Sequence, residues 1–343
     1  MSLNEIILLF GFNLILFFVI NFFLIKKKIL IDRILDKDIH KNFVNSEIVP
    51  LSGGVILLLN CFILNFFDNF YYLICFAFLF LVGLLSDTAN LESPAKRLFM
   101  QIMLILLFLF HQEILIDSVR INFIDQMLKN KFFSLIFTSF CLLILINGSN
   151  FIDGMNFQSS GYYLALLASL IFFNSEIINQ VYPKIFSSLF LFLIIFIFFN
   201  IQNKSFLGDS GIYLLSFIIG LLLIEMQKIT NVSPYYIVVL LWYPAFENFF
   251  SICRRVFVKK RKPEEADIQH LHHYLIKYLK LKLDLDNKKI SLLASVFINL
   301  FNFIFFSFSV SFIYSTKILL FLIFLLCITY LFIYNFLSKN RNQ

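Results

Sequence analysis

The sequence predicts an all-α polytopic membrane protein with about eleven transmembrane helices and its active site on cytoplasmic loops. Three observations carry that prediction: the composition, the length of the apolar runs, and the distribution of lysine and arginine. Of 343 residues, 60% are hydrophobic and 14% are charged. An average globular chain is roughly 45–50% apolar and about 25% charged, so the excess fits a chain whose solvent is lipid.

The apolar runs lie near 6–25, 51–67, 70–85, 98–116, 132–147, 160–173, 185–201, 210–226, 235–252, 290–314 and 317–337. The first is longer than a signal-peptide core and lacks a clear cleavage site, which predicts a retained helix. The others approach the roughly 20 residues that a crossing needs. No soluble domain and no clear repeat interrupts them, so residues 1–343 read as one integral membrane domain. The five cysteines (Cys61, Cys75, Cys141, Cys253 and Cys327) fall in or beside apolar runs and form no CxxC pair, as expected of small hydrophobes.

With the N-terminus outside, all but six of the 28 lysines and arginines fall on inner segments. The six are Arg120, Lys129, Lys131, Lys184, Lys228 and Lys317. The positive-inside rule therefore predicts a multi-pass protein of the inner (plasma) membrane, with the C-terminus and active site cytoplasmic. The net charge of +7 reads as a topology signal and not as a nucleic-acid footprint. A basic inner face also attracts anionic lipid headgroups and a phosphorylated lipid.

On this topology the polar and titratable residues gather at the inner ends of the spans, in five clusters. His40 precedes Pro50-Leu51-Ser52-Gly53-Gly54, and the glycine pair suits close approach of backbone to either a ligand or another helix. Gly83-Leu84-Leu85-Ser86-Asp87 ends a span and Lys96-Arg97 begins the next. An acid there needs water or a partner, and a helix cap or an ion pair with Arg97 are both open. Asn147, Asn150 and Asp153, with Gly154, recur at three-residue spacing, which places them on neighbouring turns of one helix face. Carboxamides there suit phosphate, sugar or base, and a polar turn stays open. Phe206-Leu207-Gly208-Asp209-Ser210-Gly211 offers an exposed carboxylate, either a Mg²⁺ ligand or an N-cap. Finally, three of the five histidines fall within four positions, His270, His272 and His273. They suit a diphosphate better than zinc, because no further Cys or His completes a tetrahedral set nearby. A solvated His-rich loop is the plain alternative.

In order and spacing these clusters resemble the polyprenyl-phosphate N-acetylhexosamine-1-phosphate transferase superfamily. It includes the GlcNAc-1-phosphate transferases and the phospho-N-acetylmuramoyl-pentapeptide transferase of peptidoglycan synthesis. The resemblance runs from about residue 32 to residue 275. It implies transfer of a HexNAc-1-phosphate from a UDP-sugar to undecaprenyl phosphate, releasing UMP and starting a surface polysaccharide or O-antigen-type glycan. It implies Mg²⁺ (or Mn²⁺) on Asp209 with Asp87 as a second candidate ligand, catalytic roles for Asp87, Asp209, Arg97, His270, His272 and His273, and substrate contacts from His40, Gly53, Gly54, Asn147, Asn150 and Asp153. Phe206 is implied to stack on uracil. Asp267 stands where the family places an acid.

Three positions depart from the family pattern: Ser86 replaces the first acid of a pair, Met155-Asn156-Phe157-Gln158 replaces Leu-Asp-Gly-Leu, and Ile212 replaces Ser. Ser86 bears on any mechanism that needs a carboxylate base. However, a phosphate monoester with a second pKa of about 6 is mostly dianionic at neutral pH and needs little help from one. Direct displacement is therefore expected over an aspartyl-phosphate intermediate. The sequence leaves open the sugar, the glycan pathway and the oligomeric state, a homodimer included. Rival readings are the peptidoglycan enzyme, a UDP-releasing glycosyltransferase, a family member that binds without turnover, and, from another class, a membrane transporter. A transporter would place acids mid-span; Glu225 and Glu247 are the acids to inspect, and both fall near span ends in the sequence.

Overall fold

Backbone amides in hydrocarbon find no water, so each crossing must satisfy its own hydrogen bonds, as a helix does. The computed structural model describes residues 3–32, 49–64, 66, 69–258 and 269–339, and within them the fold is all α. The helices are α1 (Leu3–Lys27), α2 (Ser52–Ile63), α3 (Phe70–Asp87), α4 (Pro94–Gln112), α5 (Asn122–Leu128), α6 (Lys131–Ile152) and α7 (Gln158–Phe173). They continue with α8 (Ser175–Gln180), α9 (Pro183–Ile201), α10 (Gly208–Thr230), α11 (Pro234–Cys253), α12 (Leu271–Lys282), α13 (Asn287–Ser309) and α14 (Thr316–Lys339).

Each of the eleven apolar runs becomes a helix. Among the described residues nine helices are long and apolar enough to cross a membrane, while α2 and α7 are shorter. At 1.5 Å per residue, α2 reaches only about 18 Å and α7 about 24 Å, against a hydrocarbon slab of about 30 Å. The eleven expected crossings are therefore nine full-length helices and two short ones. Three helices were not expected from the hydropathy pattern: α5, α8 and α12. The last replaces the His-rich loop with an ordered helix that buries Leu271, His272, His273, Tyr274, Ile276 and Leu279.

Helix α10 is the hub, packed by α2, α3 and α6. It is apolar around its whole circumference and almost every residue from Ser210 to Met226 is buried, the pattern of an interior helix. Close approach is needed where α2 meets it. A Cβ on Gly54 would stand 2.7 Å from the Gly211 nitrogen, so a larger residue would push the two helices apart.

Helix α11 carries Pro244 in its interior. Proline has no N–H to give the carbonyl four residues back, which is that of Leu240. The Tyr162 hydroxyl donates to that carbonyl at 2.7 Å, so α7 supplies the missing donor. Gly148 of α6 lies directly against the Pro244 carbonyl.

The helix ends sort onto two faces. On one, Glu113 after α4 pairs with Lys131 of α6, and Arg120 donates to the carbonyls of Tyr314 and Asn231. On the other lie the C-termini of α3 and α6 and the N-termini of α2, α4 and α10, around a cavity. A clasp of backbone hydrogen bonds forms one rim of it. Leu51 N–H donates to Leu30, Asp32 N–H to Val49, Phe206 N–H to Pro50 and Gly53 N–H to Phe206.

Candidate active site

The cavity has a volume of about 700 Å³ and is lined by Asp87, Asn150, Asp153, Gly154, Asn156, Asn200, Phe206 and Asp209, with Ser86, Lys28 and Asp32. Its acidic floor is built where α3 ends against the start of α10. The first N–H groups of a helix have no partner within it and carry the positive end of the helix dipole. Asp87 satisfies them from a distance of 122–123 residues in sequence. Its Oδ1 accepts from Asp209 N–H at 2.7 Å, and its Oδ2 accepts from Ser210 N–H at 3.0 Å and Ser210 Oγ at 2.7 Å. The cap of α10 is thus Asp87 and not Asp209, the residue the sequence offered for it. Gly208 makes this possible: its φ of +72° is left-handed, and an added Cβ would meet Asp87 Oδ2 at 2.7 Å.

Asp209 is left to face the cavity. Its Oδ2 accepts from Arg97 Nη1 at 3.0 Å and from Ser86 Oγ at 2.5 Å, and Arg97 Nη1 also lies 2.5 Å from Ser86 Oγ. Arg97 therefore pairs with Asp209 and not with Asp87. Its position follows from the helix start, where Ser93 accepts from Lys96 N–H and Pro94 fills the first turn. Asp209 Oδ1 accepts no hydrogen bond among the described residues.

Asp153 caps the C-terminal end of α6 and accepts from Ser159 Oγ. Burial pushes its carboxyl up to about 8; the Ser159 hydrogen bond pulls against this, and the charges of Asp209 and Asp87 push further in the same direction. At neutral pH its carboxyl is therefore largely protonated and able to donate.

The loop after Asp153 is strained and tightly held. Phe157, at the position where the resemblance expects glycine, takes φ +66°, a conformation that costs a bulky residue on the order of 1–2 kcal/mol. Several side chains hold it there. Phe157 N–H donates to Asn200 Oδ1 at 2.8 Å, Asn299 Nδ2 donates to the Phe157 carbonyl at 2.6 Å, and Ser295 Oγ donates to the Asn156 carbonyl at 2.9 Å. The Asn156 amide donates to Asn203 Oδ1. The sequence reading missed Asn200, Asn203, Ser295 and Asn299, which occur among apolar runs where small polar residues look like ordinary interhelical contacts.

The other predicted site residues are placed as follows. Asn147 points to α4, donating to Gln101 Oε1 at 3.0 Å, and does not line the cavity. Gly53 is buried against Phe196 of α9 and Leu207, and Gly54 against Gly211 of α10, so they serve helix packing. Phe206 lines the cavity. His40 and Asp267 lie outside the described residues.

His270, His272 and His273 are no solvated loop; each is at most 6% exposed. The rings of His270 and His272 stack 5.6 Å apart, and those of His272 and His273 lie 4.2 Å apart. The row adjoins the cavity at Gly154, where an added Cβ would stand 2.9 Å from His272 Nε2. Glu247, placed near a span end by the sequence, is fully buried within α11.

Among the described residues no three His, Cys, Asp or Glu side chains converge as a metal-binding set. The donors that do fit a hard cation are carboxylates around the cavity. Mg²⁺ typically takes one or two of these and completes its shell with water and substrate phosphate. The open Oδ1 of Asp209 suits that role, whereas hydrogen bonds engage both oxygens of Asp87.

A cavity floored by carboxylates at one end of the helix bundle, with one arginine and a histidine row at its edge, is the candidate active site of this multi-pass membrane protein. Residues 69–227 match the model of glycosyl transferase family 4. The chain is 28% identical over 227 residues to an undecaprenyl-phosphate alpha-N-acetylglucosaminyl 1-phosphate transferase of Thermotoga maritima. That alignment covers 66% of this chain and 67% of the relative. The family match spans α3 to α10 and so includes Asp87, Arg97, Asn150, Asp153, Phe206 and Asp209. The glycine pair of α2 and the histidines of α12 lie beyond it.

Proposed function

We propose that the protein transfers N-acetylhexosamine-1-phosphate from a UDP-sugar to undecaprenyl phosphate at the cytoplasmic face of the inner membrane. UMP leaves, and the lipid-linked sugar starts a surface glycan. The observation that carries this reading is the convergence of Asp209, Asn150, Asp153 and Phe206 on one cavity at one end of the helix bundle, with Arg97 paired to Asp209.

An oxygen of the lipid phosphate attacks the phosphorus that bears the sugar, and the bond from that phosphorus to the UMP oxygen breaks. The attacking phosphate is mostly dianionic at neutral pH, so no general base is required. Ser86 in place of a carboxylate is compatible with this. The larger barrier is the approach of two anions, and positioning with electrostatic stabilisation lowers it. Arg97 brings fixed positive charge beside Asp209. Asp153, largely protonated, donates a hydrogen bond to phosphate or sugar. The Asn150 amide serves the nucleotide, and the Phe206 ring offers a face on which uracil stacks. Asp209 would hold Mg²⁺ (or Mn²⁺), with Asp87 contributing at most a remaining lone pair. The cation would supply positive charge between the two phosphates.

The engagement of Asp87 by three donors of α10 favours direct displacement over a covalent intermediate. A carboxylate whose oxygens are already hydrogen-bonded is a poor nucleophile. Trapping a phosphorylated Asp87 during turnover would overturn that part. The reading as a whole is tested by incubating membranes with undecaprenyl phosphate and a panel of UDP-sugars, with and without Mg²⁺. UMP and lipid-linked product are expected only with the cation. UDP as the released nucleotide would reject the reading.

A further inference from the structure

We propose that Glu247 is a positioning residue of the transfer reaction, fixing the tautomer and ring plane of His270 from inside the bundle. The inference rests on the reading of the protein as a phosphosugar transferase. Glu247 belongs to α11, is 0% exposed, and lies outside the region that matches the family model. A carboxylate in such a place is costly unless each oxygen has a partner. Both do. Oε1 lies 2.9 Å from His270 Nδ1, and Oε2 accepts from the Tyr330 hydroxyl at 2.6 Å. Aromatic rings close the surroundings: Tyr330 packs edge-on against Phe246 at 5.0 Å and Phe250 at 5.4 Å. Water therefore has little access as a substitute partner.

With the Tyr330 hydroxyl donating to Oε2, the proposed pairing has His270 Nδ1–H donating to Oε1. Ser251, one turn further along α11, has its hydroxyl 3.3 Å from the same nitrogen. Nδ1 is thereby committed to α11, and Nε2 is left as the nitrogen that can accept or exchange a proton. The ring fixed in this way is the first of the histidine row. His270 stacks on His272 with planes within 4°, and His272 meets Gly154 at the cavity. Orientation set at Glu247 is passed by ring contact to the cavity edge. No substrate bond is made or broken at Glu247.

The test uses the full chain in nanodiscs, wild type against Glu247→Gln and Tyr330→Phe, with ¹⁵N-histidine spectroscopy and steady-state kinetics side by side. Five histidines in the chain keep assignment tractable, with His270→Asn identifying the resonance. The wild type is expected to show His270 protonated on Nδ1, and Glu247→Gln a mixed or reversed tautomer. In Glu247→Gln, kcat is expected to fall about 10- to 100-fold, the range typical of lost outer partners of a working histidine. KM for the UDP-sugar should stay within about threefold, with thermal unfolding close to wild type. Tyr330→Phe should show the same signs at smaller amplitude. An unchanged kcat in folded Glu247→Gln, or an unchanged tautomer, overturns the proposal. So does a loss of activity fully matched by loss of folded protein in both variants. A wild type that turns over no UDP-sugar defeats the transferase reading instead, and the kinetic role with it; the spectra then decide the Glu247–His270 pairing alone.

Discussion

Replacing Asp87 by Asn turns one carboxylate oxygen into an N–H₂ group facing the donors of α10. At least one of those donors then loses its acceptor, and leaving a buried donor unsatisfied costs about 1–3 kcal/mol. Asp87→Asn is therefore expected to lower the thermal unfolding temperature of the purified protein, and to lower activity by letting the first turn of α10 shift. Ser86→Asp tests the departure at the neighbouring position. It adds a carboxylate beside Asp209 Oδ2 and Arg97, the groups that Ser86 now joins by hydrogen bonds. The variant is expected to reach half-maximal activity at a lower Mg²⁺ concentration than wild type and to be less stable in chelator. A Mg²⁺ titration of both proteins, with Asp209→Ala as the inactive reference, checks this. Asp153 gives a pH dependence. Its folded carboxyl is raised to about 8, well above the usual aspartate range of about 4, so it favours folding by binding a proton more tightly than the unfolded chain. That contribution is complete below about pH 4 and is lost as pH rises through about 8. Unfolding measured in chelator from pH 5 to 9 should show the decline, and Asp153→Asn should flatten it.

At the scale of elements, the break in α11 is repaired by its neighbour α7. Tyr162→Phe leaves the Leu240 carbonyl without a donor inside the bundle, at an expected cost of about 1–2 kcal/mol. Urea or thermal unfolding of the solubilised protein measures it. Helix α13 has a comparable role at the site, since Ser295 and Asn299, one turn apart, hold the carbonyls of the Phe157 turn. A left-handed phenylalanine persists only where its surroundings over-determine it. Asn299→Leu is expected to loosen the turn, raising KM for the nucleotide donor several-fold while kcat changes less. Initial-rate kinetics against UDP-sugar concentration would separate the two.

For the whole molecule, the two faces make a topological prediction. Cysteines introduced at Lys131 and Lys317 into a cysteine-free chain should react with a membrane-impermeant thiol reagent from outside intact cells. One introduced at Lys96 should react only after the membrane is opened. The helices were legible because lipid demands long apolar runs: all eleven runs form helices, and among the described residues nine are long and apolar enough to cross. Three of the five polar clusters, those of Asp87, of Asn150 and Asp153, and of Phe206 and Asp209, meet at one cavity, and they stood out because acids and amides at span ends are costly without a use. Less legible was α12, whose basic, mildly apolar sequence reads as a loop until α13 and α14 are there to cover its buried side. The pairing of Asp87 with α10, of Glu247 with His270, and of α13 with the Phe157 turn joins residues far apart in sequence, and no local pattern encodes such partners. The capping of α10 by Asp87 also bears on the catalytic cycle. Its donors are two backbone amides and one adjacent hydroxyl, all supplied by the first turn of α10 itself. On the proposed transfer reaction, the field around Asp209 would need little reorganisation when substrates arrive or products depart, with the dipoles of α10 already aligned for a pair of phosphates.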